Sequence, residues 1–168
     1  MMPPFNLQAW IEENRHLLKP PVSNKVIYQD PNFIVQVVGG PNSRTDFHVN
    51  QSSEFFLQLE GTIFLRTINQ DNQFEDIHLK GGDVFMLPAL VPHSPQRSEG
   101  SVGLVIEKVR AKEDIDGLQW YCKSCGKKLY EEFFHLTNIE TDFPAVFNRY
   151  YNSTAVNCAC GTVNGRTW

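Results

Sequence analysis

The sequence lacks the features of a membrane-spanning or nucleic-acid-binding protein. No apolar run among its 168 residues approaches the ~20 that a transmembrane helix needs. Basic residues are not in excess, since 15 Lys and Arg stand against 19 Asp and Glu for a formal net charge of −4. We therefore expect neither nucleic acid nor a membrane as a partner. Repeats and low-complexity tracts are also absent, and the composition is that of an ordinary globular domain.

An export signal is missing as well. The N-terminal segment contains acidic residues and no continuous apolar stretch, unlike a secretory signal peptide. We expect a cytoplasmic protein on this basis. In that reducing compartment the four cysteines are explained more readily as thiols or metal ligands than as disulfides.

Strand signals dominate the chain between residues 25 and 110, after a short amphipathic helix predicted over 6–18 with Asn6 as its N-cap. Seven β-branched or aromatic runs are separated by turn sequences: VIYQ, FIVQVVGG, EFFLQLEG, TIFLRTI, DIHLKGGD, VFMLP and SVGLVIEKV. Such spacing without intervening helices predicts a mainly β, antiparallel sandwich or barrel. The pattern after Ala111 is mixed and partly helical, so we interpret 111–168 as a C-terminal extension of the 1–110 unit, the two packed as one domain.

Two segments carry a candidate metal site. His48 and Glu54 lie in HVNQSSE, and His93 lies in LPALVPHSPQR. Two imidazoles and one carboxylate are the facial triad that holds Fe(II) and leaves the opposite coordination positions open. A lone histidine in a barrel is more often a satisfied polar residue, but three candidate ligands together favour metal binding. The remaining histidines have no partner at ligand spacing and are not predicted to bind metal: His16, His78 and His135.

Two arginines flank the candidate ligands. Arg44 precedes His48 by four positions, and Arg97 follows His93 by four. A metal between two guanidinium groups suits an anionic chelating substrate, because arginine pairs with carboxylates through two parallel hydrogen bonds. The alternative is that both are solvated charges at the rim of the barrel, since arginine is usually exposed.

The spacing around these residues resembles the two motifs of the cupin superfamily. Gly61 follows Glu54 with six residues between them, and His93 lies five positions beyond Pro88. The resemblance implies a single small jelly-roll β-barrel with a metal inside. The usual first histidine of the motif is replaced by Asp46, so three protein ligands are expected rather than four.

A closer resemblance covers nearly the whole chain, from about Phe5 to the end. The segments KPPVSN, VVGGPNSRTDFH, EFF, LPALVPHSPQR, LVIEK and WYCKSCG are similar, in order and spacing, to the 3-hydroxyanthranilate 3,4-dioxygenase family. The resemblance implies Fe(II), held by His48, Glu54 and His93. It also implies catalytic contacts at three further residues, with Arg44 on the O2 side and Arg97, Glu107 and the ligand Glu54 on the substrate side.

The same resemblance implies a reaction and an assembly. Its substrates would be 3-hydroxyanthranilate and O2, and its product 2-amino-3-carboxymuconate semialdehyde, which cyclises to quinolinate in NAD biosynthesis and tryptophan degradation. The family also implies a homodimer. Asn24 and Asp46 fall in segments that family members place near the pocket, although both residue types are also common turn formers.

Glu107 is placed by strand periodicity. Gly103, Val105 and Glu107 alternate with Val102, Leu104 and Ile106 and share one face of a strand. If that face lines the barrel, Glu107 can accept a proton or hydrogen bond from the substrate and hold Arg97 in place. The alternative is a solvated carboxylate at the end of a strand.

The cysteines predict a separate site. Cys122 and Cys125 form CxxC, and Cys158 and Cys160 form CxC, each followed by glycine. Two close pairs favour a closed, structural four-thiolate site for Fe or Zn that anchors the extension. Relatives with this feature have a rubredoxin-like iron site with two CxxC pairs, so the shorter second pair leaves zinc or altered geometry open. Unmetallated thiols or a redox disulfide are the alternatives.

Two other functions compete with ring cleavage of 3-hydroxyanthranilate. One is a cupin dioxygenase or isomerase for another small anionic substrate, which needs the arginines but not the matching flanking segments. The other is a non-catalytic cupin that senses a ligand or stores metal. The latter predicts missing ligands or a basic DNA-binding helix pair, and the sequence shows neither.

Overall fold

The computed structural model describes residues 3–20 and 23–166. The chain begins with helix α1 (Leu7–Asn14), followed by a 3-10 turn at Arg15–Leu17. Asn6 caps the helix, because its side-chain oxygen accepts a hydrogen bond from the backbone N–H of Ala9 at 2.9 Å. The predicted helix is confirmed. The sequence predicts that the helix stops at Lys19-Pro20-Pro21, and of these residues Pro21 lies outside the described part of the chain.

Within this part of the chain, eleven strands form two antiparallel sheets. The strands are β1 (Asn24–Gln29), β2 (Phe33–Gly39), β3 (Asp46–Val49), β4 (Glu54–Glu60), β5 (Thr62–Ile68), β6 (Phe74–Lys80), β7 (Val84–Leu87), β8 (His93–Arg97), β9 (Val102–Lys108), β10 (Asp116–Tyr121) and β11 (Lys128–Phe134). One sheet has the order β1-β2-β9-β4-β7, and the other has the order β11-β10-β3-β8-β5-β6. This is the jelly-roll barrel predicted for a cupin, and that prediction is confirmed.

Four strands were not predicted as strands. The seven predicted runs became β1, β2, β4, β5, β6, β7 and β9, but β3, β8, β10 and β11 were missed. All four residues of β3 are buried, as are the first five of β10, so the polar residues of these strands face the interior and neither strand alternates between buried and exposed positions. β8 is short, polar and contains Pro95, which argues against an inner strand.

The barrel interior is filled from both sheets. Phe56 and Val105 of one sheet belong to the same buried cluster as Ile63, Leu65 and Leu79 of the other. Outside the barrel, α1 packs Ile11 against the outer face of the five-stranded sheet. This apolar cluster fills one part of the barrel interior. The remaining part, which is lined by polar residues, can hold a site.

The extension is built onto the six-stranded sheet. β10 pairs with β3, and Leu118 lies directly opposite His48. Helix α2 (Ile139–Tyr151) then packs over β10, where the Tyr150 and Trp120 rings stack with their centroids 4.5 Å apart. The expected helical character of this segment is confirmed. No helix in the described ranges is long and apolar enough to cross a membrane.

Candidate metal centre and substrate cavity

The three predicted ligands meet inside the barrel. His48 on β3 and His93 on β8 lie opposite each other in neighbouring strands, and Glu54 approaches from β4 in the other sheet. Glu54 Oε1 is 3.8 Å from His48 Nδ1 and 3.5 Å from His93 Nε2. All three residues are buried, and their donor atoms lie within 4.8 Å of one another. The three predicted ligands therefore surround a single point inside the barrel.

The electrostatics of these residues suit a divalent transition-metal ion. Burial would raise the pKa of Glu54, but the two histidines hold it well below its usual range, so the carboxylate is ionised. Burial lowers the pKa of His48, which favours the neutral imidazole that a metal needs. Burial also opposes charge on His93, but the nearby Glu54 carboxylate raises the pKa of His93. Metal and proton therefore compete for His93.

Each imidazole is oriented through its other ring nitrogen. His93 Nδ1 lies 3.0 Å from the backbone oxygen of Val91, which leaves Nε2 facing Glu54. His48 Nε2 lies 2.6 Å from Asp116 Oδ2, which leaves Nδ1 facing Glu54. Such hydrogen bonds fix the tautomer and ring orientation of metal-binding histidines. The donor set therefore fits a metal ion.

A cavity of about 610 Å³ opens above the three ligands. Val38 and Val105 line its wall, and Ile139, Phe143 and Phe147 cover it from one face of α2 at helical spacing. Phe143 also packs edge-on against His48, with ring centroids 5.3 Å apart. An apolar cavity of this size with a few polar groups suits one small aromatic molecule.

Arg97 lines this cavity and is buried, with 6% of its surface exposed. Its Nη1 is buried without a hydrogen-bond partner, and no described residue forms an ion pair with the guanidinium. Burial, together with repulsion from Arg44, lowers the pKa of Arg97 to about 10, so it still carries its charge at neutral pH. The alternative of a solvated rim charge is wrong for Arg97.

Arg44 also lines the cavity, but it has a partner. Its guanidinium forms a two-pronged ion pair with the buried carboxylate of Asp46. Its Cζ lies 6.0 Å from the centre of the Phe143 ring. Asp46, which stands where cupins usually have a histidine, therefore anchors an arginine rather than a metal.

Glu107 faces the cavity from β9, as the alternation predicted. Gln36 Nε2 donates to its carboxylate at 2.5 Å, and Arg110 Nη1 donates at 2.7 Å. Burial raises the pKa of Glu107 to about 7, against the lowering effect of Arg110. The expectation that Glu107 holds Arg97 is wrong, because Arg110, three residues along the chain, occupies that position instead.

Four residues around the site were missed by sequence reasoning: Gln36, Asn50, Arg110 and Asp116. Asn50 donates to Glu54 at 3.0 Å from the loop between β3 and β4. Asp116 reaches His48 from 68 positions away along the chain, and no local motif marks it. Asn24 lines the cavity, whereas the three histidines not predicted to bind metal are exposed and lie outside it.

The model of the 3-hydroxyanthranilic acid dioxygenase family matches residues 1–151. The chain belongs to this family. A relative from Xanthomonas oryzae pv. oryzae, named 3-hydroxyanthranilate 3,4-dioxygenase, is 56% identical over 163 residues, which is 96% of this chain and 92% of the relative. Relatives of the same name from Burkholderia cenocepacia and Jannaschia sp. are 48% and 47% identical and cover 98% and 95% of this chain, and 96% and 90% of their own lengths. The resemblance in the sequence motifs is thereby confirmed.

A solved structure with low sequence identity shares the fold of this chain. A protein of Neisseria meningitidis is 18% identical and superposes with a TM-score of 0.50, covering 64% of this chain and all of its own. At that identity the likeness concerns the barrel alone.

The four cysteines of this family member also converge. Cys122 Sγ lies 3.6 Å from Cys160 Sγ, and Cys125 Sγ lies 3.6 Å from Cys158 Sγ, with all four sulfurs within 4.8 Å. A disulfide needs about 2.05 Å, whereas thiolates around one tetrahedral ion at ~2.3 Å stand ~3.8 Å apart. The backbone N–H of Cys125 lowers the pKa of Cys122 to about 6, which favours the thiolate. The arrangement fits a metal better than a disulfide.

The shorter CxC pair is accommodated by a tighter turn. At the first pair, Gly126 N–H donates to Cys122 O and Cys122 N–H donates to Lys127 O. At the second, Gly161 N–H donates to Cys158 O and Cys158 N–H donates to Thr162 O, so each bond spans one residue fewer. The turn at the CxC pair is therefore one residue shorter but keeps both backbone hydrogen bonds.

Proposed function

We propose that this chain is an Fe(II)-dependent ring-cleaving dioxygenase that converts 3-hydroxyanthranilate and O2 to 2-amino-3-carboxymuconate semialdehyde. The observation that carries the proposal is the buried, unpartnered Arg97 in the same cavity as His48, Glu54 and His93. A buried cation without an acceptor is costly, and a carboxylate that enters the cavity would remove that cost. Family membership supports the same substrate.

The substrate matches the groups that line the cavity. Its benzene ring suits the apolar wall formed by Val38, Val105 and Phe143. Its carboxylate suits Arg97, whose planar guanidinium gives two parallel, charge-assisted hydrogen bonds. Its adjacent hydroxyl and amine are a chelating pair that points to a metal. An anionic aromatic compound without such a chelating pair would bind to Arg97 but would not bind to the metal.

Iron(II) held by His48, Glu54 and His93 would supply a redox-active centre with open coordination positions for substrate and O2. Glu107 would accept the proton that the substrate hydroxyl or amine gives up, and burial makes its carboxylate a better base than an exposed one. Arg44 would face the O2 side and stabilise negative charge that develops there, held in position by Asp46. Phe143 and Phe147 would exclude water from the reacting groups.

We assign the four-cysteine site a structural metal, iron or zinc. A closed set of four thiolates leaves no position for a substrate. The reduced thiols that such a site requires fit a cytoplasmic enzyme. We also propose a homodimer, which rests on the family resemblance. Quinolinate, formed when the product cyclises, would feed NAD biosynthesis.

The proposal is tested by loading the metal-free protein anaerobically with Fe(II), adding 3-hydroxyanthranilate, and then admitting air. Ring-opened product, followed by absorbance, should form with stoichiometric O2 consumption only in the iron-loaded sample. His93→Ala should lose triad iron and activity together, whereas the exposed His78→Ala should keep both. Iron bound at the triad without turnover would refute this substrate and direct the search to other chelating aromatics.

A further inference from the structure

A buried chain of charged groups runs behind the metal centre. His48 Nε2 contacts Asp116 Oδ2 at 2.6 Å, and Arg110 Nη2 donates to the same oxygen at 2.9 Å. Arg110 Nε reaches the other oxygen of Asp116 at 3.2 Å. Arg110 Nη1 donates to Glu107 at 2.7 Å. One arginine therefore bridges the carboxylate behind a metal ligand and the carboxylate that faces the substrate.

Asp116 determines which nitrogen of His48 faces the metal position. A neutral imidazole has one N–H donor and one lone pair. An ionised carboxylate can only accept, so the N–H must lie on Nε2 and the lone pair on Nδ1. Asp116 is fully buried and sits at the start of β10, where it pairs with Phe134 of β11 and precedes the first residue of β10 paired with β3. Nδ1 is thereby directed towards Glu54.

Arg110 holds both carboxylates in one arrangement. Its side chain is only 11% exposed, so its contacts are largely shielded from water. Gln36 donates to the other oxygen of Glu107 at 2.5 Å, and Asn50 donates at 3.4 Å to the oxygen that Arg110 also contacts. Movement of Asp116 would therefore leave Arg110 with Glu107 as its one carboxylate partner among the described residues, and the position of both side chains would be less fixed.

We propose that Asp116 and Arg110 are a positioning pair that orients His48 for metal binding and, through the same arginine, sets the position of Glu107 against the substrate. This inference rests on the proposed function, since it assumes a metal at the triad. Asp116 does not line the cavity and acts through His48 and Arg110, whereas Arg110 lines the cavity beside Glu107 and is paired with both carboxylates. The pair links metal affinity to substrate affinity.

The experiment measures Fe(II) affinity by anaerobic competition with a chromogenic chelator, in a Cys125→Ala background so that only the triad binds. Asp116→Ala should weaken Fe(II) binding 10- to 100-fold, the range found when such a hydrogen bond to a ligand histidine is removed. Asp116→Asn keeps an oxygen that can accept from His48, so it should restore part of that loss. Arg110→Met should leave Fe(II) affinity within about threefold but raise the KM for 3-hydroxyanthranilate about tenfold.

A matched control separates positioning from general stability. Asp76→Asn also removes a carboxylate that forms two hydrogen bonds with an arginine, at 2.8 Å each, but on the outer surface. Asp76→Asn should change neither the Fe(II) affinity nor the KM for 3-hydroxyanthranilate. The visible spectrum of the Co(II)-substituted triad should shift in both Asp116 variants and not in Asp76→Asn, because only the former alter the His48 ligand.

The outcomes distinguish this inference from the proposed function. Loss of iron in His93→Ala with wild-type affinity in both Asp116 variants would overturn the positioning role and leave the enzyme intact. An equal loss in Asp76→Asn would also overturn it, because the effect would then be general. Wild-type iron binding in His93→Ala would instead overturn the metal site on which both proposals rest.

Discussion

At the residue scale, Arg97 is the group whose environment makes least sense without a ligand. It is buried beside a second arginine, and its Nη1 has no partner among the described residues. Proteins seldom keep an unpaired buried charge for stability, since replacement by an apolar side chain is often neutral or favourable. The energetic cost of burying the Arg97 guanidinium without a partner is explained by a site that binds an anionic substrate.

The variant Arg97→Met should separate substrate binding from stability. Loss of one partner of a buried charge pair costs about 2–5 kcal/mol, so the KM for 3-hydroxyanthranilate should rise about 30-fold or more with triad iron retained. The melting temperature of the metal-free protein should rise by roughly 2–4 °C, because an uncompensated charge is removed. Steady-state kinetics, iron analysis and thermal unfolding check the three quantities.

The control for this variant is Arg66→Met. Arg66 is paired with Asp76 on the outside of the barrel, so its loss should not affect KM. An unchanged KM in Arg97→Met would show that the carboxylate binds elsewhere, with Lys25, Arg44 and Arg110 the other cationic residues that line the cavity.

The site residues that could be predicted are those with a local signature. His48, Glu54 and His93 follow a family spacing, and both arginines sit four positions from a ligand. Asp116 and Arg110 have no such signature. The register of β10 against β3 brings Asp116 to the site, and Arg110, two residues after β9, contacts Asp116 and Glu107 there. That register depends on a strand the hydrophobic pattern did not reveal.

At the element scale, two of the four missed strands share one physical cause. β3 and β10 are inner strands of the same sheet and are buried on both faces, so the alternation between buried and exposed residues that marks a half-exposed strand is lost. β1, β5 and β6 lie at or next to a sheet edge and do alternate or expose one face, and they were predicted. Polar residues of the site lie in two of the strands that the sequence pattern missed, β3 and β8.

The two cysteine turns form an element of their own, which Cys125→Ala should loosen. The variant should lose one metal ion per chain and increase amide hydrogen exchange at 157–164, because the bound ion joins that segment to the turn at 122–126. Lys123 N–H also donates to Asn164 Oδ1 at 3.0 Å, so some protection should remain. Ring cleavage should continue at near the original kcat. Loss of triad iron in this variant would contradict a purely structural role.

Helix α2 should weaken in acid through Asp142. The backbone N–H groups of Asn138 and Thr137 donate to its carboxylate at 2.9 and 2.8 Å and hold the pKa of Asp142 at about 2. Because the folded-state pKa is depressed, this contribution is complete above the unfolded pKa of about 3.9 and is lost as the pH falls towards 2. Asp142→Asn should flatten the pH dependence of α2 hydrogen exchange between about pH 4 and 2 in the metal-free protein. The exposed turn variant Asp71→Asn should follow the wild-type curve.

At the scale of the whole molecule, the triad joins the two sheets. His48 and His93 belong to the six-stranded sheet and Glu54 to the five-stranded one, so an ion bound there ties both together. Ligand at 100 times its Kd stabilises the folded state by about 2.7 kcal/mol. In the Cys125→Ala background, saturating Fe(II) should therefore raise the melting temperature by roughly 5–10 °C. The same gain in His93→Ala, Cys125→Ala would show that the ion binds outside the barrel.

The position of β3 bears on the order in which the protein is made. Both neighbours of this strand, β8 and β10, come later in the chain, and its pairing with β10 runs from Asp46–Trp120 to Val49–Gly117. At ~5–20 residues per second, a ribosome would need several seconds to deliver β10 after β3 has been synthesised. Until β8 is made, the strand that carries His48 has no partner on either edge, and until β10 is made it has a partner on one edge at most. The nascent chain therefore cannot take up its metal early, and iron loading belongs to the finished protein.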